Sequence, residues 1–429
     1  MRPLLLLLAV APILVTPSDA KDPARASDNN SPSKESKTGK MELSTQVPAT
    51  RFYGNAEYLL WWVKDAPLSV PLISSGPGSN KEGFLVSSAT TILYGAPFSP
   101  AVGGNNSQSF PAFSGSRLTL GYWLNDDHRL AIEGSGFALE SQSAGVVIRG
   151  SAGGSPGMRI PVYNNVPYAP GGASDPETGL KLVPKTEDGV PISIPGDLTG
   201  GARVSNTLRL WGADLNGVIN LRRSSSWEVS ALAGVRYLDL TETLSTTADI
   251  EGLSTSQMYA GQAGFANDRF KTWNHFYGAN LGIRGRYTTG RLSAEMTGRV
   301  ALGVNNEVVK ISGGYEAINF KAPTASGPEG IFAQPANEGR YSQNRFSIVP
   351  QAQVKLAYAI TPRLSATVSY DILYMSSVVR PGDQINRDIP KGQTFQQDGT
   401  AANTSSPSRI FRASDFFAQG LSFGFEFRF

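Results

Sequence analysis

The sequence predicts an all-β protein, a transmembrane antiparallel up-and-down β-barrel of about ten strands with short periplasmic turns and long extracellular loops. Three observations predict it: a strictly alternating strand at the end of the chain, short and long connections that alternate along the chain, and a secretion signal at the beginning. The last strand, LSFGFEFRF, keeps period two to its end, so that its apolar side chains share one face. These are Leu421, Phe423, Phe425, Phe427 and Phe429.

An aromatic side chain at nearly every apolar position of this last strand is unusual for a protein in water. As a free sheet edge it would promote aggregation. In a membrane barrel one face of the strand meets lipid, the other meets the lumen, and pairing of the first strand with the last removes the edge. The alternative is the terminal strand of a secreted β-sandwich, which would be soluble without detergent.

Composition excludes several functional classes and kinds of site. The 429 residues contain 17% charged residues, 46 glycines and no cysteine, and the formal net charge is only +3 with the basic residues spread along the chain. Nucleic-acid binding therefore has no support. The lack of cysteine excludes disulfides, thiolate metal sites and a lipid-modified cysteine.

The N-terminus predicts export. Residues 1–20 combine Arg2, an apolar run over residues 4–15 and a small-x-small site at residues 18–20, which is typical of a signal peptide, with an uncleaved anchor as the alternative. Residues 21–50 are rich in Ser, Lys, Asp and Pro and predict a flexible periplasmic leader. Residues 51–429 would form the barrel, in the outer membrane of a Gram-negative-type envelope.

The strands follow as one first strand, four hairpins and the terminal strand. In the first strand Trp61 and Trp62 are expected in an interfacial aromatic girdle, and near Leu210 and Trp211 the alternation slips, which suggests a bulge. Strands of roughly 10–16 residues are expected, enough to cross a bilayer. The hairpins are residues 114–139, 207–241, 271–304 and 345–375, and the predicted surface loops are residues 65–113, 140–205, 242–270, 305–344 and 376–418.

The terminal strand also predicts how the barrel is assembled. A polar residue, a glycine two positions later and two apolar residues ending in Phe resemble the signal by which outer-membrane barrels are recognised. The partners expected are therefore outer-membrane lipid and the barrel-assembly machinery, with a surface ligand bound through the long loops. The signal comprises Ser422, Gly424, Phe427 and Phe429.

Charged side chains on the inward faces predict a lumen network. Opposite charges would pair and fill an interior of this size, because an unpaired buried charge is costly. The alternative is an open path lined by Arg, which would favour anions. The predicted lumen residues are Glu57, Arg117, Arg129, Glu133, Asp214, Glu228, Arg236, Arg284, Arg286, Glu295, Arg299, Lys355 and Asp371.

Reactive groups are few. His128 falls in a short turn, and His275 shares a face with Trp273 and Tyr277, so it is expected in the girdle near the outer rim. A barrel-type hydrolase could use His275 as its base, which makes it a formal candidate. No phosphate loop or EF-hand spacing is present, and no cofactor or metal is expected.

Several segments resemble the β-barrel-protein-seven (BBP) family of outer-membrane barrels, whose function is largely unassigned. The similar segments are residues 56–62, AEYLLWW, residues 210–217, LWGADLNG, and residues 232–240, LAGVRYLDL, together with the terminal strand. The resemblance implies the fold and the location, and it brings no catalytic residues.

The function predicted from these observations is a structural or surface-interaction role without catalysis. A narrow porin-like diffusion channel for small solutes or ions is the second hypothesis, and the hydrolase is the third.

Overall fold

A computed structural model describes residues 51–76, 88–97, 102–164, 186–320, 324–389 and 406–429. The predicted signal peptide and leader lie outside these residues. Ten long strands dominate the fold. They are β1 (Phe52–Val63), β2 (Phe113–Trp123), β3 (Leu130–Leu139), β4 (Leu198–Arg223), β5 (Trp227–Gly252), β6 (Ala263–Thr289), β7 (Leu292–Ile318), β8 (Gly339–Ala359), β9 (Leu364–Val379) and β10 (Ala413–Arg428).

The ten strands close into a ring. Each pairs antiparallel with its neighbour in this order, and β1 also pairs with β10. Backbone hydrogen bonds between Phe52 and Phe429, at 3.1 and 2.8 Å, complete the seam at the end of the chain. A short strand, Gln142–Arg149, continues β3 along the upper part of β4. Every barrel strand therefore has two partners, which confirms the predicted up-and-down barrel.

Outward side chains form an apolar belt between two rows of aromatic rings. The lower row lies at the end with the short turns, where Phe52 packs on Tyr122 and Trp227 on Tyr287. The upper row includes Tyr277, which is ten residues before Tyr287 on β6. At about 3.3 Å per residue and a tilt near 40°, the two rows are ~25 Å apart, the height of a membrane-spanning belt.

Only one of the two predicted girdle tryptophans lies on the outside. Trp62 is 43% exposed on the outer surface, whereas Trp61 is fully buried in the lumen. Adjacent residues of a strand point to opposite faces, so the two indoles could not both lie in one girdle. The prediction for Trp61 was wrong.

Four strands continue far beyond the belt, and here the predicted strand lengths and loop limits were wrong. Strands β4 to β7 are 26 or 27 residues long and include much of the predicted loops 242–270 and 305–344. Above the belt the surroundings are aqueous, so polar side chains point outward there and apolar side chains point into the barrel. Thr243 and Ser245 face outward while Leu244 is buried inside. Because its outward face is polar, this part of the strand has the composition of a loop and lacks the apolar outer face that predicts a membrane strand.

The upper part of the barrel is filled by the connecting segments. A second sheet of short strands packs there, and its Leu72, Ile160 and Ile192 share a core with wall residues such as Leu244 and Phe270. The predicted external loops 65–113, 140–205 and 376–418 are thus partly internal. Within the described residues, no helix has the length and hydrophobicity to cross a bilayer.

Candidate functional site

The lower half of the lumen, toward the short turns, contains a layer of ion pairs set by strand register. Glu57 of β1 lies directly opposite Arg117 of β2, and Asp214 of β4 lies opposite Arg236 of β5. The guanidinium of Arg236 donates to the Asp214 carboxylate at 2.6 and 3.0 Å, and Arg117 donates to Glu57. Because directly opposed residues share a face, the sequence alternation alone brings these partners together.

Other pairs of the layer cross the lumen. Arg284 of β6 holds Glu133 of β3 through two hydrogen bonds of 2.8 and 2.7 Å. Arg117 reaches Asp371 of β9 in the same bidentate way, at 2.8 and 2.9 Å. Such paired bonds fix both distance and orientation. They therefore tie together strands that are not neighbours in the sheet.

The layer contains as many carboxylates as cations. Among the predicted residues, Arg129 is exposed at the β2–β3 turn and Glu228 is partly exposed beside Arg223, so neither joins the buried layer. Glu426 was missed, although it lies on the inward face of β10, where Arg286 holds it at 2.9 Å. The members are Glu57, Glu133, Asp214, Glu295, Asp371 and Glu426 with Arg117, Arg236, Arg284, Arg286, Arg299 and Lys355.

An apolar layer lies directly above the ion pairs and spans the lumen. Its side chains come from the inward faces of several barrel strands and are almost fully buried. Leu208 and Leu210 belong to it, so β4 keeps its alternation where a slip was predicted, and its irregularity lies instead between Asn220 and Arg222. The layer includes Leu59, Trp61, Phe113, Leu208, Leu210, Leu238, Leu240, Phe276, Ala301, Val349, Leu373, Met375 and Phe416.

Above the apolar layer, the segment after β9 turns into the barrel. Its 3₁₀ turn, Pro381–Gln384, is mostly buried, and the preceding Arg380 forms a buried ion pair with Glu242 of β5 at 2.7 Å. The side chain of Asn274 on β6 donates to the Val379 carbonyl at 2.9 Å and accepts from the Val379 amide at 2.8 Å. These bonds satisfy the backbone of an internal segment. We call residues 377–389 the plug.

A cavity of about 250 Å³ remains within the charged layer. It is lined at the turn end by Arg223 and Arg428, which are partly exposed. Phe137 also lines it, and the Phe137 ring packs against Trp61 of the apolar layer with centroids 5.5 Å apart. Within the described residues the cavity is thus bounded above by apolar side chains.

His128 lines the turn end of the cavity, where its ring packs on Trp123, whereas His275 lies outside the lumen. His275 is on the outer surface, where its Nδ1 lies 2.9 Å from the Asp239 carboxylate and 3.1 Å from the Tyr237 hydroxyl. A base oriented by a carboxylate is one part of a hydrolase site. In the part of the chain that the structure describes, no Ser or Thr hydroxyl is hydrogen-bonded to His275, and no cluster of His, Asp and Glu could hold a metal.

The residues of the predicted assembly signal take different positions on β10. Ser422 is buried and donates to Asp371 at 2.8 Å, and Gly424 lies against Glu57, where a larger side chain would clash. Phe427 is half-buried, and Phe429 is 65% exposed on the outer surface.

Comparison with solved structures finds a protease, a transporter and a porin at low similarity. The outer membrane protease OmpT from Escherichia coli is 10% identical, with 89% of this chain and 98% of that chain covered and a TM-score of 0.41. The toluene transporter TodX of P. putida is 8% identical, with 88% and 90% covered and a TM-score of 0.19. An anion-selective porin from Comamonas acidovorans is 8% identical, with 88% and 98% covered and a TM-score of 0.16.

No curated protein matches the sequence. A family model does, over residues 53–429, and this range contains all ten strands of the barrel except the first residue of β1. The chain therefore belongs to the family described as "Putative beta barrel porin-7 (BBP7)".

Proposed function

We propose that this protein is a closed outer-membrane barrel, a non-catalytic structural anchor that holds a loop-built surface outside a Gram-negative-type envelope and does not conduct solutes. The observation that carries the proposal is the apolar layer across the lumen. Trp61, Phe276 and Phe416 in it have no solvent-exposed surface. Ions and polar solutes cannot cross such a layer without losing their hydration.

The layers on either side support the same function. Below, equal numbers of opposite charges pair within the barrel, so the lumen offers no excess of one sign to attract ions. Above, the plug fixes the loop end to the wall through Arg380 and Asn274. A rigid wall that carries loops is suited to presenting a binding surface, because binding residues are commonly found on loops held by a rigid scaffold.

Cysteine labelling tests the closed lumen. The chain has no cysteine, so one introduced thiol is the only target of a charged methanethiosulfonate reagent. Ala301→Cys places it in the apolar layer, where the side chain is fully buried, and Ser109→Cys places it on an exposed segment as the control. We expect the control to react at once and Ala301→Cys to react only after unfolding. Equally fast labelling of Ala301→Cys in the folded barrel would overturn the proposal.

A narrow diffusion channel is the second candidate, because the charged cavity extends to the turn end of the barrel. It would need a path past Phe137 and Trp61. Among the described residues, Val378 is the one member of the plug in the apolar layer, and the others come from the barrel wall, so movement of the plug alone would not supply that path.

A hydrolase is favoured only by the Asp239–His275 contact. If His275 were a general base, His275→Ala would abolish lipid or peptide hydrolysis by the purified barrel. We expect no hydrolysis from the wild-type protein above the rate of the His275→Ala protein.

A further inference from the structure

A cluster of basic side chains lies on the outer surface of β4 to β8, just above the upper aromatic row. We call Arg209, Arg269, Lys271, Lys310 and Arg340 the basic patch. Arg209, Arg269, Lys310 and Arg340 are exposed, and Lys271 is half-buried. The ionic contact that the structure gives this patch is between Arg209 and Asp239, at 3.8 Å.

Strand register places the patch residues side by side. Lys271 of β6 is directly opposite Lys310 of β7, and Lys310 is directly opposite Arg340 of β8. Neighbouring strands are about 4.8 Å apart, so three cations stand in one row across ~10 Å. Arg269 is two residues above this row on β6, and Arg209 is one row below it on β4.

An indole ring lies within the same patch. The Lys271 ammonium is 4.6 Å from the centre of the Trp273 ring, and the Arg340 guanidinium is 5.0 Å from it. Trp is enriched at membrane interfaces, where its apolar ring and polar NH meet both environments. The contacts with Trp273 hold two of the cations at the height of that interface.

The patch contrasts with the lumen. Inside the barrel each cation of the charged layer contacts a carboxylate, whereas Lys271, Lys310 and Arg340 have no ion pair with the described residues. Like charges directly opposite one another destabilise a sheet. The fold therefore concentrates positive charge here without supplying the counter-charge itself.

The height of the patch indicates where the counter-charge lies. Arg209 is level with Trp273, which is four residues above Tyr277 along β6. Four residues of a tilted strand correspond to ~10 Å along the barrel axis. Lys and Arg side chains extend several ångströms further and can bend toward the interface. The patch is thus level with the polar headgroups beside the loop end of the barrel.

We propose that the basic patch binds the phosphate groups of an outer-leaflet lipid headgroup. Phosphate fits this site because Arg binds it through two parallel hydrogen bonds and Lys binds it as a point charge. Clustered Lys and Arg at a membrane surface attract anionic headgroups in proportion to their number. Binding of a phosphorylated lipid would also relieve the repulsion within the row.

The test compares matched variants in lipid vesicles. The patch variant is Lys271→Gln/Lys310→Gln/Arg340→Gln. The control is Arg222→Gln/Arg291→Gln/Arg363→Gln, which removes three exposed cations at the turn end. Each protein is refolded into phosphatidylcholine vesicles with lipid A, with dephosphorylated lipid A, or with lipid A and an equimolar amount of inorganic phosphate. Lipid retained after extraction into detergent is measured by native mass spectrometry, and folding is verified by the mobility of unboiled protein in SDS.

We expect the wild type and the control variant to retain lipid A, and the patch variant to retain at least roughly tenfold less. Dephosphorylated lipid A should be retained poorly by all three. Equal retention by the patch variant, or equal retention of the dephosphorylated lipid, would overturn the proposal. If inorganic phosphate displaces lipid A at equimolar concentration, the site binds free phosphate and the lipid assignment is wrong.

Discussion

Individual charges inside the barrel are held by partners on other strands. Glu133 accepts both bonds of the Arg284 guanidinium and a further bond of 2.9 Å from the Tyr53 hydroxyl. Its side chain is 1% exposed, so water cannot replace these partners. The free energy of such a pair depends on both charges being present, because either one alone would be buried without compensation.

Glu133→Ala should therefore lower the free energy of unfolding by about 3–5 kcal/mol, since it leaves Arg284 buried without its main partner. The measurement is the urea concentration at which the compact band of the unboiled protein disappears in SDS gels. Glu228→Ala is the control. Glu228 contacts Arg223 at 3.3 Å with both side chains partly exposed, and its loss should change stability by at most ~1 kcal/mol. Equal midpoints for the two variants would contradict the role of the charged layer.

A second buried carboxylate, Asp268, binds the backbone of the segment that contains Phe332 and Ala333, above the membrane belt. Asp268 accepts hydrogen bonds from the Phe332 and Ala333 amides, both at 2.8 Å, and from the Thr246 hydroxyl at 3.0 Å. Burial nevertheless raises the pKa of Asp268 to about 6. The folded state therefore binds the proton of Asp268 more tightly than the unfolded chain does. The stability gained from this tighter proton binding is fully present below the pKa of an unfolded Asp and is lost as the pH rises through 6.

We expect the amides of Phe332 and Ala333 to be about tenfold better protected from hydrogen exchange at pH 5 than at pH 7.5, after correction for intrinsic rates. This corresponds to ~1.4 kcal/mol of local stability. Asp268→Asn keeps an accepting oxygen without the titration and should abolish the dependence on pH. Protection that rises from pH 5 to pH 7.5 in the wild type would be the wrong sign for this account.

At the scale of single elements, the outer face of the barrel strands changes character along its length. In β6 the outward residues Ile283, Leu281 and Tyr277 meet lipid, whereas Trp273 and Lys271 follow above the belt. Alternation of apolar and polar residues was sufficient to predict the lower part of each strand and the face of nearly every side chain there. It was not sufficient above the belt, where the apolar face turns inward.

The sequence also predicted the charged layer better than the apolar layer. Arg117, Arg236 and Arg284 could be placed inside because charges avoid lipid. Leu208 and Leu210 could not, because an apolar side chain is compatible with either face of the strand, whereas Trp61 could have been placed inside because it shares a face with Glu57. Glu426 could have been recognised from its inward register on β10. The plug depends on long-range contacts such as Arg380 with Glu242, which no local pattern indicates.

The terminal strand carries a prediction of its own. Phe429 is 65% exposed, so its ring packs little against the rest of the protein, and we expect its role to lie in recognition during assembly. Phe429→Ala should reduce the amount of barrel in the outer membrane of expressing cells severalfold and leave refolding in detergent unchanged. Phe52→Ala is the matched control, because Phe52 is 60% exposed on the adjacent strand. A comparable loss for both variants would contradict a specific terminal signal.

At the scale of the whole molecule, three layers fill the barrel in succession. Paired charges occupy the lower lumen, apolar side chains seal the middle, and the plug with its surrounding core fills the part above the membrane belt. Each layer uses the inward faces of the barrel strands, so the barrel is held together from the inside as well as by its backbone hydrogen bonds. The outer surface of the belt contacts lipid, and the connecting segments are available for interactions above the belt.

The central claim is that this barrel is closed, and conductance across a planar lipid bilayer tests it most directly. The purified protein should first show the heat-dependent mobility shift in SDS that marks a folded barrel. We predict that the inserted wild-type protein then gives no stepwise current at any moderate voltage. Stable current steps that require the folded protein would contradict the account and would establish a channel through the apolar layer.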